Sequence, residues 1–120
     1  QNKVTAVAID NGRRNGAVLP SVESVENGSY QPLSRPIFIY VNITAAAKPE
    51  VKAFVEFYLK NALLLVKEAK FFPLPPRAYA TMLEHFNKRR TGSVFSGVPA
   101  VGLTIDELIR REGRLEFEHQ

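Results

Sequence analysis

Ten residues constrain this chain more than any others: Pro32-Leu33-Ser34-Arg35-Pro36-Ile37-Phe38-Ile39-Tyr40-Val41. Each proline ring fixes its own φ and pushes the preceding residue out of the α region, so Gln31 and Arg35 are expected to be extended. From Ile37 to Asn42 nearly every residue is β-branched or aromatic. A continuous apolar run of that kind suits a strand covered on both faces, in a sheet flanked by helices. The run Lys3 to Ile9 also reads as a strand, and it begins with almost no lead-in, as if the chain were cut from something longer.

The rest of the sequence is punctuated for helices. Two Asn-Gly pairs, Asn11-Gly12 and Asn15-Gly16, predict a tight surface loop. Ser21 and Ser24 with Glu23 predict a short helical turn that Gly28 stops. Pro49 suits a first helical turn, and Val51, Phe54, Val55, Tyr58, Leu59, Ala62, Leu65, Val66 and Ala69 follow the spacing of one buried face, predicting a single helix. The prolines in Phe71-Phe72-Pro73-Leu74-Pro75-Pro76 end it. A second helix is predicted from about Arg77 to Asn87, with Tyr79, Met82, Leu83 and Phe86 on one face and Lys88-Arg89-Arg90 at its negative end. Gly92 to Gly97 reads as a turn. Thr104 to Glu107 has capping-box spacing, and Ile105, Leu108 and Ile109 predict a short amphipathic helix stopped at Gly113.

Composition narrows the function classes. At 120 residues with 45% hydrophobic content the chain can build one modest core. It has no cysteine, which removes disulfides, thiol nucleophiles and thiolate metal sites. No apolar run approaches the ~20 residues of a membrane-crossing helix. The net charge of +4 favours an anionic partner only weakly.

Little of the sequence points to catalysis. His85 has no second ligand at metal spacing and His119 lies in the C-terminal tail, so neither is read as a metal site. Ser21, Ser24, Ser34, Ser93 and Ser96 stand in no nucleophile elbow and read as caps and turn residues. Asp106 and Glu107 are explained by capping and the helix dipole. No enzyme, cofactor or metal is expected. The clusters Arg13-Arg14, Lys88-Arg89-Arg90 and Arg110-Arg111 with Arg114 raise nucleic acid as a partner, but aromatic residues are not interleaved with them, which disfavours it.

The segments Ala6 to Gly12, Ala17 to Tyr30 and Pro32 to Val41 resemble the C-terminal part of the periplasmic phosphate-binding proteins of ABC transporters. Phe54-Val55-Glu56-Phe57-Tyr58-Leu59 and Phe72-Pro73-Leu74-Pro75 continue the likeness in the same order, from about Val4 to Phe95. The resemblance implies an α/β chain, a partial type II periplasmic binding protein-like fold with few strands and about three main helices. It implies a division at residues 1–34 (end of a second lobe and crossing segment), 35–114 (C-terminal part of the first lobe) and 115–120 (a flexible tail). Ser34, Arg35 and Pro36 would then form the interlobe crossing.

The same resemblance implies a periplasmic or cell-envelope location and a non-catalytic role in phosphate import. The implied partners are inorganic phosphate in the full-length protein, an ABC permease, and a missing N-terminal lobe or a second copy of the chain. The family's phosphate ligands lie in loops and helix N-termini upstream of the matching region, so none can be placed on a residue here. The alternative from the residues alone is a small basic interaction domain, with a protein or nucleic-acid partner, that reuses this fold segment.

Overall fold

A computed structural model describes residues 3–94 and 104–114. Helices α1 (Val22–Glu26), α2 (Pro49–Lys60), α3 (Ala62–Glu68), α4 (Pro76–Asn87) and α5 (Ile105–Arg114) carry the structure, with a 3-10 turn at Ala45–Ala47. Helix α2 is the hub and packs against α4, the 3-10 turn and α3.

Four of the five α-helices have a local reason to start. At α1 the Ser21 hydroxyl accepts from the Ser24 N–H at 3.0 Å, and Ser24 Oγ accepts from the Ser21 N–H at 2.9 Å. These two bonds occupy backbone donors that the first turn would otherwise leave open. Proline opens both α2 and α4, where its missing N–H costs nothing. Before α2, Asn42 Oδ1 accepts from the N–H groups of Thr44 and Ala45 at 2.9 and 3.1 Å, turning the chain into the 3-10 segment. Thr104 caps α5 by accepting from the Glu107 N–H at 3.2 Å.

The long helix expected from Pro49 onward is two helices. Asn61, with φ −107° and ψ 9°, sits between α2 and α3, and its Nδ2 donates to the Phe57 carbonyl at 2.8 Å. The side chain competes with the backbone for a carbonyl inside the helical run. Helix α5 runs one residue past Gly113, the expected stop. The end of the turn expected at Gly92 to Gly97, and the tail 115–120, lie outside the described residues.

The expectation of an α/β, partial type II periplasmic binding protein-like fold is overturned. The described residues are helical and contain no sheet; strand pairing among them is one antiparallel bridge, Ile9 with Val18, whose two N–H···O bonds are each 2.9 Å. The apolar run Ile37 to Asn42 forms no strand, and neither does the rest of Lys3 to Ile9. The physical reason is that β propensity expresses a fit to a paired, covered surface. No described segment runs alongside Ile37 to Val41 to supply a ladder, so β-branched side chains alone do not make one.

The core is correspondingly small. Val55 and Leu59 from α2, Ala62 from α3, Ala78 from α4, Leu108 from α5, Ala46 and Val94 are buried, and among the described residues no large side chain is fully enclosed. The accessible surface is 9014 Å², where a compact monomer of 13.4 kDa exposes about 6,500 Å². The radius of gyration, 16.5 Å, likewise exceeds the roughly 14 Å of a compact domain of this length.

Candidate functional site

The candidate site is an exposed apolar surface built on the proline-stiffened segment. Ser34 is half-buried, while Arg35 and Pro36 are exposed at the entry to the run. Beyond them Ile37 is 74% exposed and Tyr40 76%, and Ile39 and Ile43 are also exposed. The Phe38 and Tyr40 rings have centroids 6.4 Å apart. The segment thus presents several large apolar groups to solvent.

Helix α2 carries further exposed apolar groups. Val55 and Leu59 turn inward, as the periodicity predicts, but Phe54, expected on the buried face, is 64% exposed and stacks on Tyr58 at 6.4 Å between centroids. Phe57 is exposed beside it, as are Leu64 on α3 and Phe71 and Phe72 in the linker. A shallow groove between α2, α3 and α4 is lined by Leu59, Leu63, Tyr79, Ala80 and Leu83, with Lys60 at its rim. Among the described residues, fifteen large hydrophobic side chains are at least 40% exposed.

Several polar groups elsewhere are engaged with one another. Ser24 Oγ also donates to the Leu19 carbonyl at 2.8 Å, leaving the Ser21–Ser24 pair committed to the cap of α1. Burial raises the Tyr79 hydroxyl above its usual value, while the Leu74 N–H, donating to it at 3.0 Å, works the other way. Lys88 meets Glu84 at 2.6 Å, and that hydrogen bond holds the Glu84 carboxyl low. Arg89 lies over the Phe86 ring, 5.5 Å from its centroid. Arg111 bonds Glu107 at 3.0 Å and Arg110 bonds its other oxygen, and these two contacts lower Glu107.

The basic clusters at the ends of α4 and α5 are therefore built largely into local pairs. Among the described residues no group of three or more His, Asp or Glu side chains could hold a metal ion. His85 instead faces Glu112, which the sequence pairs with nothing because the two stand in different helices. The available signal was positional: Glu112 falls seven residues after Ile105 and four after the buried Leu108, on the inward face of α5. No helix of the described residues is long and apolar enough to cross a membrane.

Comparison with known proteins gives this surface its context. The chain is 48% identical over 111 residues to Protein SphX of Synechococcus elongatus, across 92% of this chain and 32% of that protein. It is 47% identical over 112 residues to Protein SphX of Synechocystis sp., across 92% of this chain and 33% of that protein. The chain is a homologue of SphX.

A more distant match, 31% identical over 83 residues, links it to the Phosphate-binding protein PstS of Staphylococcus aureus, across 68% of this chain and 24% of that protein. The chain spans about a third of the length of the SphX relatives it matches. No family model matches it, and no solved structure does.

Proposed function

We propose that this chain is the C-terminal, completing segment of a non-catalytic phosphate-binding protein that serves ABC-type phosphate import in the periplasm or cell envelope. One observation carries the reading. Homology runs through 92% of the chain but through only 32% of the SphX relative, and the chain leaves its apolar residues in water. The remaining two thirds of such a protein would cover the surface formed by Ile37, Tyr40, Phe54 and Phe57.

In this account residues 1–34 close one lobe, residues 35–114 contribute to the other, and 115–120 are a tail. Ser34, Arg35 and Pro36 pass between the lobes, where the prolines keep the segment extended and Arg35 stays in solvent at the junction. Inorganic phosphate is held by the remainder of the protein, closure of the two lobes around it traps the anion, and the closed form delivers it to a membrane permease.

Calorimetric titration of the isolated chain with inorganic phosphate, beside sulfate, tests this division of labour. No saturable heat is expected. Saturable, phosphate-selective heat at one site per chain would show that the chain holds an anion site of its own and would overturn the assignment.

A further inference from the structure

Among the described residues, helix α5 meets the rest of the chain at its cap, at Asp106 and at Glu112. Near its start, Thr104 Cγ2 lies 3.1 Å from where a Cβ on Gly28 would stand, so the cap of α5 abuts the end of α1. Within the first turn, Asp106 pairs with Arg77 at the start of α4. At the far end Glu112 Oε2 lies 3.4 Å from Nδ1 of His85, near the end of α4. Arg77, Thr81 and His85 form one stripe along α4 at i, i+4 and i+8, so the two helices run in the same direction with side chains bridging them. Leu108 is buried between these two attachments.

The two attachments are not equivalent. The side chains of Arg77 and Asp106 are 65% and 77% exposed, a setting in which ion pairs contribute little. Those of His85 and Glu112 are 13% and 17% exposed. Their protonation therefore governs the closed end of the strap.

We propose that α5 is an acid-released strap: the His85–Glu112 contact holds it along α4 at neutral pH and lets it go once both groups carry a proton. With His85 neutral and its Nδ1 protonated, the ring can donate toward the Glu112 carboxylate, and with one proton added the two form a net-neutral pair. A second proton leaves an imidazolium against a neutral acid.

The surroundings of His85 push toward release, and those of Glu112 against it. Burial lowers His85 below its ordinary value, and Arg90 and Lys88 on its own helix side lower it further, while Glu84 favours the charge, as does the Glu112 carboxylate for as long as it is ionised. Burial raises Glu112, so it gives up its charge early on acidification and stops welcoming an imidazolium. A histidine depressed in the folded state contributes stability that is fully present above its unfolded value of 6.5 and is lost as pH falls through the folded value. Glu112 has the opposite sign, its burial being cheapest below 4.5, so release requires the charging of His85. Release frees the face bearing Ile105, Leu108 and Ile109.

Amide hydrogen exchange of the chain between pH 7 and pH 4, with His85 followed by proton NMR in the same samples, tests the strap. Protection of the amides from Leu108 to Glu112, corrected for intrinsic rates, is expected to fall about tenfold while α2 and α4 keep theirs, since one linked proton changes an equilibrium by at most about tenfold per pH unit. His85→Gln, which cannot be charged, should hold α5 protection within about twofold over the same range. Constant protection in the parent chain, an equal loss in His85→Gln, or a loss shared by α2 would overturn the proposal. Should His85→Gln not fold, a fall in α5 protection more than about one pH unit from the His85 titration would do so instead.

Discussion

The backbone N–H of Leu74 donates to the Tyr79 hydroxyl at 3.0 Å, tying the proline-rich linker to the first turns of α4. The linker has few backbone donors to spend, because prolines occupy 73, 75 and 76, and this bond fixes how α4 leaves it. Tyr79→Phe should therefore destabilise the chain by about 1 kcal/mol, the usual net value of a part-buried hydrogen bond. Urea denaturation at pH 7 measures it, and an unchanged midpoint would show that the bond holds nothing.

Tyr79 also predicts an alkaline limit. Burial raises its value in the folded chain, so its contribution is present below the unfolded value of 10.0 and is lost as pH rises through the folded one. Stability measured from pH 9 to pH 11.5 should decline less in Tyr79→Phe than in the parent chain. Parallel declines would place the alkaline loss elsewhere.

The small core makes its few members decisive. Leu59 is 8% exposed on the face of α2 that meets α4, and Leu59→Ala should cost about 2–3 kcal/mol, toward the low end for buried leucine because the site opens onto a groove. Phe57→Ala on the exposed face of the same helix should change stability by less than about 0.5 kcal/mol in the isolated chain. Equal losses would mean that the solvent-facing phenylalanines are packed after all.

Gly28 has φ +74° and stands against Thr104, so Gly28→Ala meets both a left-handed backbone and a 3.1 Å contact. A loss of about 1–2 kcal/mol is expected, with reduced amide protection at the start of α5. Protection at α5 unaffected by the substitution would show that the contact does not seat the helix.

These effects also mark what could be read in the residues. The Ser21–Ser24 cap, the prolines opening α2 and α4, and the inward Val55 and Leu59 depend on neighbours a few positions away, and local spacing states them directly. The break at Asn61 was hidden because apolar periodicity continues through Ala62 and Leu65 while the decision rests on one side-chain hydrogen bond.

The strand expected at Ile37 to Val41 failed for another reason. Its composition reports a demand for cover on both faces, and the described residues do not supply it. The His85–Glu112 contact joins residues 27 positions apart, a separation at which spacing carries no signal.

The most direct measurement of the central claim uses a chimera in which this chain replaces the matching 111 residues of SphX from Synechococcus elongatus. Calorimetric titration of the folded chimera with inorganic phosphate, with sulfate as the control, should give saturable, phosphate-selective binding at one site, with Ile37, Tyr40, Phe54 and Phe57 protected from solvent in the complete protein. A folded chimera that shows no phosphate-selective heat, or that leaves those four side chains as exposed as they are in the isolated chain, would contradict the account.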